Sequence, residues 1–224
     1  LPGQPGSASI ARAAEPLVTQ RGEIRTFRLA DGSSATLDTD SRLDVAFGNG
    51  ERSVRLIKGR VRLAIAKQPV PLHIAAEQGA TTANDAEIDL SIDEAGTVTT
   101  ALRRGDADWR PDAKFGAAKP LSEGQTLTYR RDGQLQPAGS AAPDIPASWP
   151  EGWAEYRSIR LDRLVAEANR YAVRPIIIED GKIAALEVSG RFHISQTEDF
   201  AERIASLFGL GIDRKADGIH LRRR

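Results

Sequence analysis

A period of two running through residues 21–66, RGEIRTFRLADGSSATLDTDSRLDVAFGNGERSVRLIKGRVRLAIA, constrains this chain more than any other feature. Val54 and Leu56 sit two apart, as do Val61, Leu63 and Ile65, and Arg60 and Arg62 fall between the latter. Successive side chains of a strand point to opposite faces, so the pattern predicts strands with one dry face and one wet face, the arginines on the wet one. Asp31-Gly32 and Asn49-Gly50 tolerate the positive dihedrals of tight hairpins, and Lys58-Gly59 is a weaker turn signal.

The same period returns along the chain. Leu72-His73-Ile74 follows the prolines at 69 and 71, and its histidine, without a second histidine or a carboxylate at ligand spacing, reads as a solvated side chain. Glu87-Ile88-Asp89-Leu90-Ser91-Ile92-Asp93 places Ile88, Leu90 and Ile92 inward and Glu87, Asp89 and Asp93 on a wet face, where a regular outward row offers no cleft for acid–base work. Asp93-Glu94-Ala95-Gly96 and Arg104-Gly105 are turns around a strand at 97–102, and a last strand region ends near Tyr129. Roughly ten to twelve short strands across 21–135 predict an all-β domain of stacked short antiparallel strands, a sandwich, roll or solenoid-like arrangement.

Charge balance excludes one class of partner. With 31 basic and 31 acidic side chains the formal net charge is zero, so nothing global draws the chain to nucleic acid or to an anionic membrane. Cysteine is absent, which removes disulfides and thiolate metal sites. Methionine is absent too, and the start Leu1-Pro2-Gly3-Gln4-Pro5-Gly6-Ser7 reads as the cut edge of a longer chain. Residues 1–20, rich in Pro, Gly, Ala and Ser, are expected to be a flexible leader. Residues 136–156 are expected to be a proline-rich linker, with Trp149 and Trp153 lying against a domain or meeting a partner.

Beyond the linker the period changes to 3.6. Leu161, Leu164, Val165 and Ala168 follow i, i+3, i+4, i+7, which predicts an amphipathic helix over 162–171. Ile176-Ile177-Ile178 reads as a strand closed by Asp180-Gly181, and Leu186 with Val188, then residues 190–194, supply another. Ser195-Gln196-Thr197-Glu198 has the form of a capping box. The helix after it is expected to bury Phe200, Ile204, Leu207 and Phe208 and to stop at Gly209, before a hairpin around Asp217-Gly218. Residues 157–181 and 191–218 thus repeat one another coarsely, and 157–224 is predicted to be a small α+β domain of βαβ-βαβ type. It shows no glycine loop of ligand size and no nucleophile–base pair, so it reads as a docking module, without catalytic, cofactor-binding or metal-binding residues.

Both halves carry a recognisable signature. Asp31, Gly32 and Ser33, then Asp38, Thr39, Ser41 and Leu43, then Glu51, Arg52, Val54, Leu56 and Gly59, with Gly124 and Gln125 later, resemble the FecR-type domain of transmembrane anti-sigma regulators. The segment 159–220 is similar to the secretin/TonB short N-terminal domain often found after it. The resemblance implies the periplasmic signal-receiving region of a single-pass inner-membrane protein, its membrane helix and the cytoplasmic segment that holds an extracytoplasmic-function (ECF) sigma factor lying outside this sequence. It implies as partner the N-terminal signalling domain of a TonB-dependent outer-membrane transporter, reporting siderophore or iron availability, and no cofactor. Strand edges of the C-terminal domain would meet that partner, with Leu186, Val188, Phe192, His193 and Ile194, and the linker's Trp149 and Trp153, as contact residues.

Some relatives cleave themselves at a Gly-Thr bond after the third block. Here the corresponding stretch is Gly79-Ala80-Thr81-Thr82, and the Gly96-Thr97 pair falls in a later turn, so self-cleavage is not expected. The rival readings are a periplasmic glycan-binding protein, with Trp109, Trp149 or Trp153 as platform and Asp85, Glu87 or Asp89 as acids, and a structural protein of an envelope assembly.

Overall fold

The computed structural model describes residues 15–48, 50–111, 117–137 and 145–224. Twelve strands make the first unit: β1 (Glu15–Val18), β2 (Arg25–Arg28), β3 (Ser34–Leu37), β4 (Arg42–Gly48), β5 (Glu51–Ile65), β6 (Leu72–Ala76), β7 (Gly79–Ala83), β8 (Ala86–Ile92), β9 (Val98–Arg104), β10 (Asp106–Pro111), β11 (Lys119–Ser122) and β12 (Thr126–Tyr129). They form the all-β arrangement expected, with β5 as its spine.

The first half of β5 pairs with β4 and, in parallel, with β6, while its second half pairs antiparallel with β3 and β8. One strand therefore belongs to two sheets, β1-β4-β5-β6-β7-β10-β11 and β2-β3-β5-β8-β9-β12. The parallel β5–β6 pair departs from the purely antiparallel stacking expected, because the chain crosses over at 66–71 instead of turning back.

The change of sheet occurs at Gly59. Val54 and Leu56 are inward at even positions, Val61, Leu63 and Ile65 at odd ones, so one extra residue must enter between them. The register slips accordingly: Arg42 faces Lys58 but Leu43 faces Leu56. Gly59 has φ of +84°, and a Cβ there would fall 2.1 Å from the Ser41 hydroxyl. Lys58-Gly59 is thus a bulge inside one long strand and not a turn. Leu37, Leu43, Leu56, Leu63, Leu72, Ile88 and Leu90 fill the space between the sheets, and Trp109 lies 5.1 Å from the ring of Tyr129.

The signature residues hold this unit together. The Asp31 carboxylate accepts the Ser33 amide at 2.9 Å, its hydroxyl at 2.8 Å and Arg52 Nε at 3.0 Å, and Arg52 also donates to the carbonyl of Ala66. Burial opposes the charge on Asp31, but the bonds from Arg52 and Ser33 outweigh it and hold its carboxyl below the usual range. The expected leader ends in a strand, since β1 pairs with β4 from Glu15 onward; residues 1–14 and Asn49 of the second turn signal lie outside the described residues.

The second unit is the α+β region expected. A 3-10 turn at Trp149–Glu151 leads into β13 (Trp153–Arg160), so the strand begins inside the expected linker. There follow α1 (Leu161–Asn169), β14 (Ile176–Ile178), α2 (Gly181–Ala184), β15 (Glu187–His193), α3 (Thr197–Phe208), β16 (Leu210–Lys215) and β17 (Gly218–Arg223). β13 pairs antiparallel with β15, and β17 lies between β14, parallel to it, and β16. The strand–helix–strand repeat is present as β13-α1-β14 and β15-α3-β16. Leu161, Leu164, Val165 and Ala168 of α1 and Phe200, Ala201, Ile204 and Ala205 of α3 form its core with Val188, Phe192, Ile219 and Leu221.

Two details of α3 differ from the sequence reading. Its N-cap is Gln196, without a side-chain cap bond, because the Ser195 amide is engaged by the Gly152 carbonyl and its hydroxyl lies 3.3 Å from His193 Nδ1. Leu207 is not buried: it is 58% exposed, on the side of the helix turned away from the core.

Candidate interaction surface and the joint behind it

Arg60, expected on a wet face, is buried where the two units meet. Around Arg60 and Asp89 the outer face of the second sheet is covered by α1 and by residues 145–149, so there the side opposite the apolar core is polar but not wet. Arg60 donates to Glu167 of α1 at 2.7 Å and lies 3.4 Å from Asp38, which follows β3. Arg170 completes the square, 3.0 Å from Asp38 and 3.2 Å from Glu167. Thr39 Oγ1 donates to the Arg170 carbonyl at 3.2 Å and accepts from the Gly22 amide.

Two guanidinium groups against two carboxylates leave this cluster formally neutral, which is the condition under which buried charges persist. Burial would neutralise Glu167, but the charges of Arg60 and Arg170 prevail and lower its pKa to about 2. Burial would likewise strip Arg60 of its proton, and Glu167 and Asp38 raise its pKa instead. Tyr171, beside them, has its phenol pKa raised by burial and by the neighbouring Asp38 charge, so it stays protonated. The Asp38 oxygens are held by charge alone, without a directed hydrogen bond.

A second cluster fastens the linker. Asp89, expected on a wet face, has no exposed surface; Arg62 binds it through two bonds of 2.7 and 2.8 Å, and Arg103 through one of 2.7 Å. The same arginines donate to the carbonyls of Ala147 and Ile145, each at 2.8 Å or less. Trp149 is fully buried, its ring 5.8 Å from the guanidinium of Arg60 and of Arg62 alike.

The residues read from sequence as partner contacts therefore separate into two groups. Trp149 is closed into the joint, and Val188, Phe192 and Ile194 are core residues of the C-terminal unit. Trp153, His193 and Leu186 are half-buried. Trp153 meets His193 edge-on at 4.4 Å, with Arg191 4.6 Å above its ring, so these three gather on the β13-β15 ribbon while Leu186 stands at its other end. What β15 offers outward is its backbone edge and the side chains of Ser189 and Arg191 between the buried positions. Trp109 is a core residue, so neither it nor Trp149 presents a platform for a sugar ring. Among the described residues no group of three or more His, Asp or Glu side chains is arranged to hold a metal ion. No described helix is long and apolar enough to cross a membrane.

Sequence reasoning missed Asp38 and Glu167 as partners of Arg60, and Arg170 as the second guanidinium of the cluster. The signal was an alternation whose polar side carries Arg60 and Arg62 on one strand and Asp89 directly across from Arg62 on the next, a cross-strand ion pair.

Comparison with known proteins agrees with this architecture. Two crystal structures of a candidate anti-sigma factor from Parabacteroides distasonis, solved at 2.50 and 1.65 Å, superpose with TM-scores of 0.70 and 0.71 at 13% identity. Each alignment covers 94% of this chain and 99% of the other, so both units and their order are shared. No curated protein matches the chain. Residues 15–108, the stretch that contains the Asp31–Arg52 clamp, the Gly59 bulge and Arg60 and Arg62 of the joint, match the FecR protein family.

Proposed function

We propose that this chain is the signal-receiving region of a sigma-factor regulator, located in the periplasm and carried by an inner-membrane anchor outside this sequence. The observation behind this reading is the union of a FecR domain over 15–108 with a small α+β unit that leaves a strand edge open, in an arrangement shared with a candidate anti-sigma factor. One guanidinium–carboxylate cluster fixes that unit to the FecR domain, and a second fastens the residues leading into it. A load on the C-terminal unit is then passed to the first sheet system instead of being lost in a flexible linker.

The C-terminal unit reads as a short N-terminal-type domain that binds the signalling domain of a TonB-dependent outer-membrane transporter. Siderophore or iron status would reach an ECF sigma factor by this route. Isothermal calorimetry against the signalling domains of the TonB-dependent transporters from the same genome tests it. One of them is expected to form a defined one-to-one complex, and absence of binding to all of them overturns the reading.

A further inference from the structure

Among the open strand edges of the C-terminal unit, that of β15 is bordered by two guanidinium groups. β15 is paired by β13 on one side and by no strand on the other among the described residues. The outer edge of β13 is less receptive, because the register slips between Tyr156 and Ile159 and a bulge bends an edge away from further pairing. β15 has no extra residue of its own from Glu187 to His193.

Beside this edge a groove of about 370 Å³ runs between Gly190, Arg191 and Phe192 of β15 and Arg203, Ser206 and Leu207 of α3. Phe192 is its apolar floor, and Leu207, 58% exposed, its apolar rim. No carboxylate lines it, and neither Arg191 nor Arg203 has an ion-pair partner among the described residues. Arg191 is steadied over the Trp153 ring. An unpaired edge recognises extended backbone, exposed apolar surface recognises apolar side chains, and two uncompensated guanidinium groups recognise carboxylates.

We propose that this groove takes an extended segment of a partner protein in which acidic and apolar residues are interspersed, added as a strand along β15. The inference rests on the reading of the chain as a receiver of a protein partner, and names the chemistry of the segment received. Side chains of an added strand alternate. Those turned toward α3 set apolar groups on Leu207 and carboxylates on Arg203 and Arg191.

The test uses the whole ¹⁵N-labelled chain, titrated to millimolar concentration with a capped heptapeptide alternating valine and glutamate and, separately, valine and lysine. The glutamate peptide is expected to shift amides within 188–193 and 203–207, and the lysine peptide none. The double variant Arg191→Glu, Arg203→Glu, at two exposed positions, is expected to weaken the glutamate peptide by about tenfold or more. An equal response to the lysine peptide, or no shift along β15, overturns the proposal. A transporter signalling domain that binds the double variant as well as the parent chain overturns the groove and leaves the proposed function standing. Peptide binding on β15 with no signalling domain bound does the reverse.

Discussion

Arg60 and Glu167 lie 107 residues apart in sequence and 2.7 Å apart in space, one on the spine strand of the FecR domain and the other on α1 of the C-terminal unit. Removing one member of a buried pair leaves the other charge uncompensated, which costs more than the pair contributes. Glu167→Ala is therefore expected to destabilise the chain by about 3 kcal/mol, and Arg60→Met with Glu167→Leu by less than either single change. Urea unfolding of the three variants measures the difference.

Acid acts on the same cluster with a defined sign. Glu167 has its pKa lowered from 4.5 to about 2 in the folded chain, so the stability it contributes is fully present above pH 4.5 and is lost as the pH falls towards 2. Urea midpoints of the parent chain are expected to fall between pH 4.5 and pH 2. In Glu167→Gln, which has no charge to lose at that position, the fall should be shallower. Identical pH profiles would show that Glu167 does not carry this part of the acid response.

Most of the architecture was legible because alternation is local: Ile88, Leu90, Val61 and Leu63 declare their inward face from spacing alone. The polar face was misread at Arg60 and Asp89 because spacing separates the two sides of a strand without saying whether the second side meets water or another polar surface. Glu167 and Arg170 sit on the same exposed-looking helix stripe as any solvated pair would. Only the fold shows that α1 turns that stripe onto the sheet. Gly59 was misread for a different reason, since a glycine between two runs of opposite parity serves a turn and a bulge equally well.

The bulge makes a specific prediction at Gly59. A Cβ there meets Ser41 on both its hydroxyl and its Cα, and φ of +84° disfavours any L side chain. Gly59→Ala is expected to cost about 2–3 kcal/mol. Ser41→Gly in the same chain should recover only the clash with the Ser41 side chain, leaving the contact with its Cα and the dihedral cost in place. Full recovery in the double variant, read from thermal and urea unfolding, would show that the dihedral is unimportant.

The Gly96-Thr97 bond is expected to stay intact, for a reason the turn itself supplies. Self-cleavage by attack of a threonine hydroxyl on the preceding carbonyl requires that bond to be held in a strained turn. Here φ of +79° falls on a glycine, for which it is unstrained. The turn is closed by ordinary bonds, Asp93 N–H to the Thr97 carbonyl at 3.0 Å and the Thr97 amide to Asp93 Oδ1 at 2.7 Å. The chain should therefore keep a single mass through days of incubation at neutral pH, and Thr97→Ala should behave identically. Two fragments divided between Gly96 and Thr97, absent in Thr97→Ala, would show that this turn reacts despite its relaxed geometry.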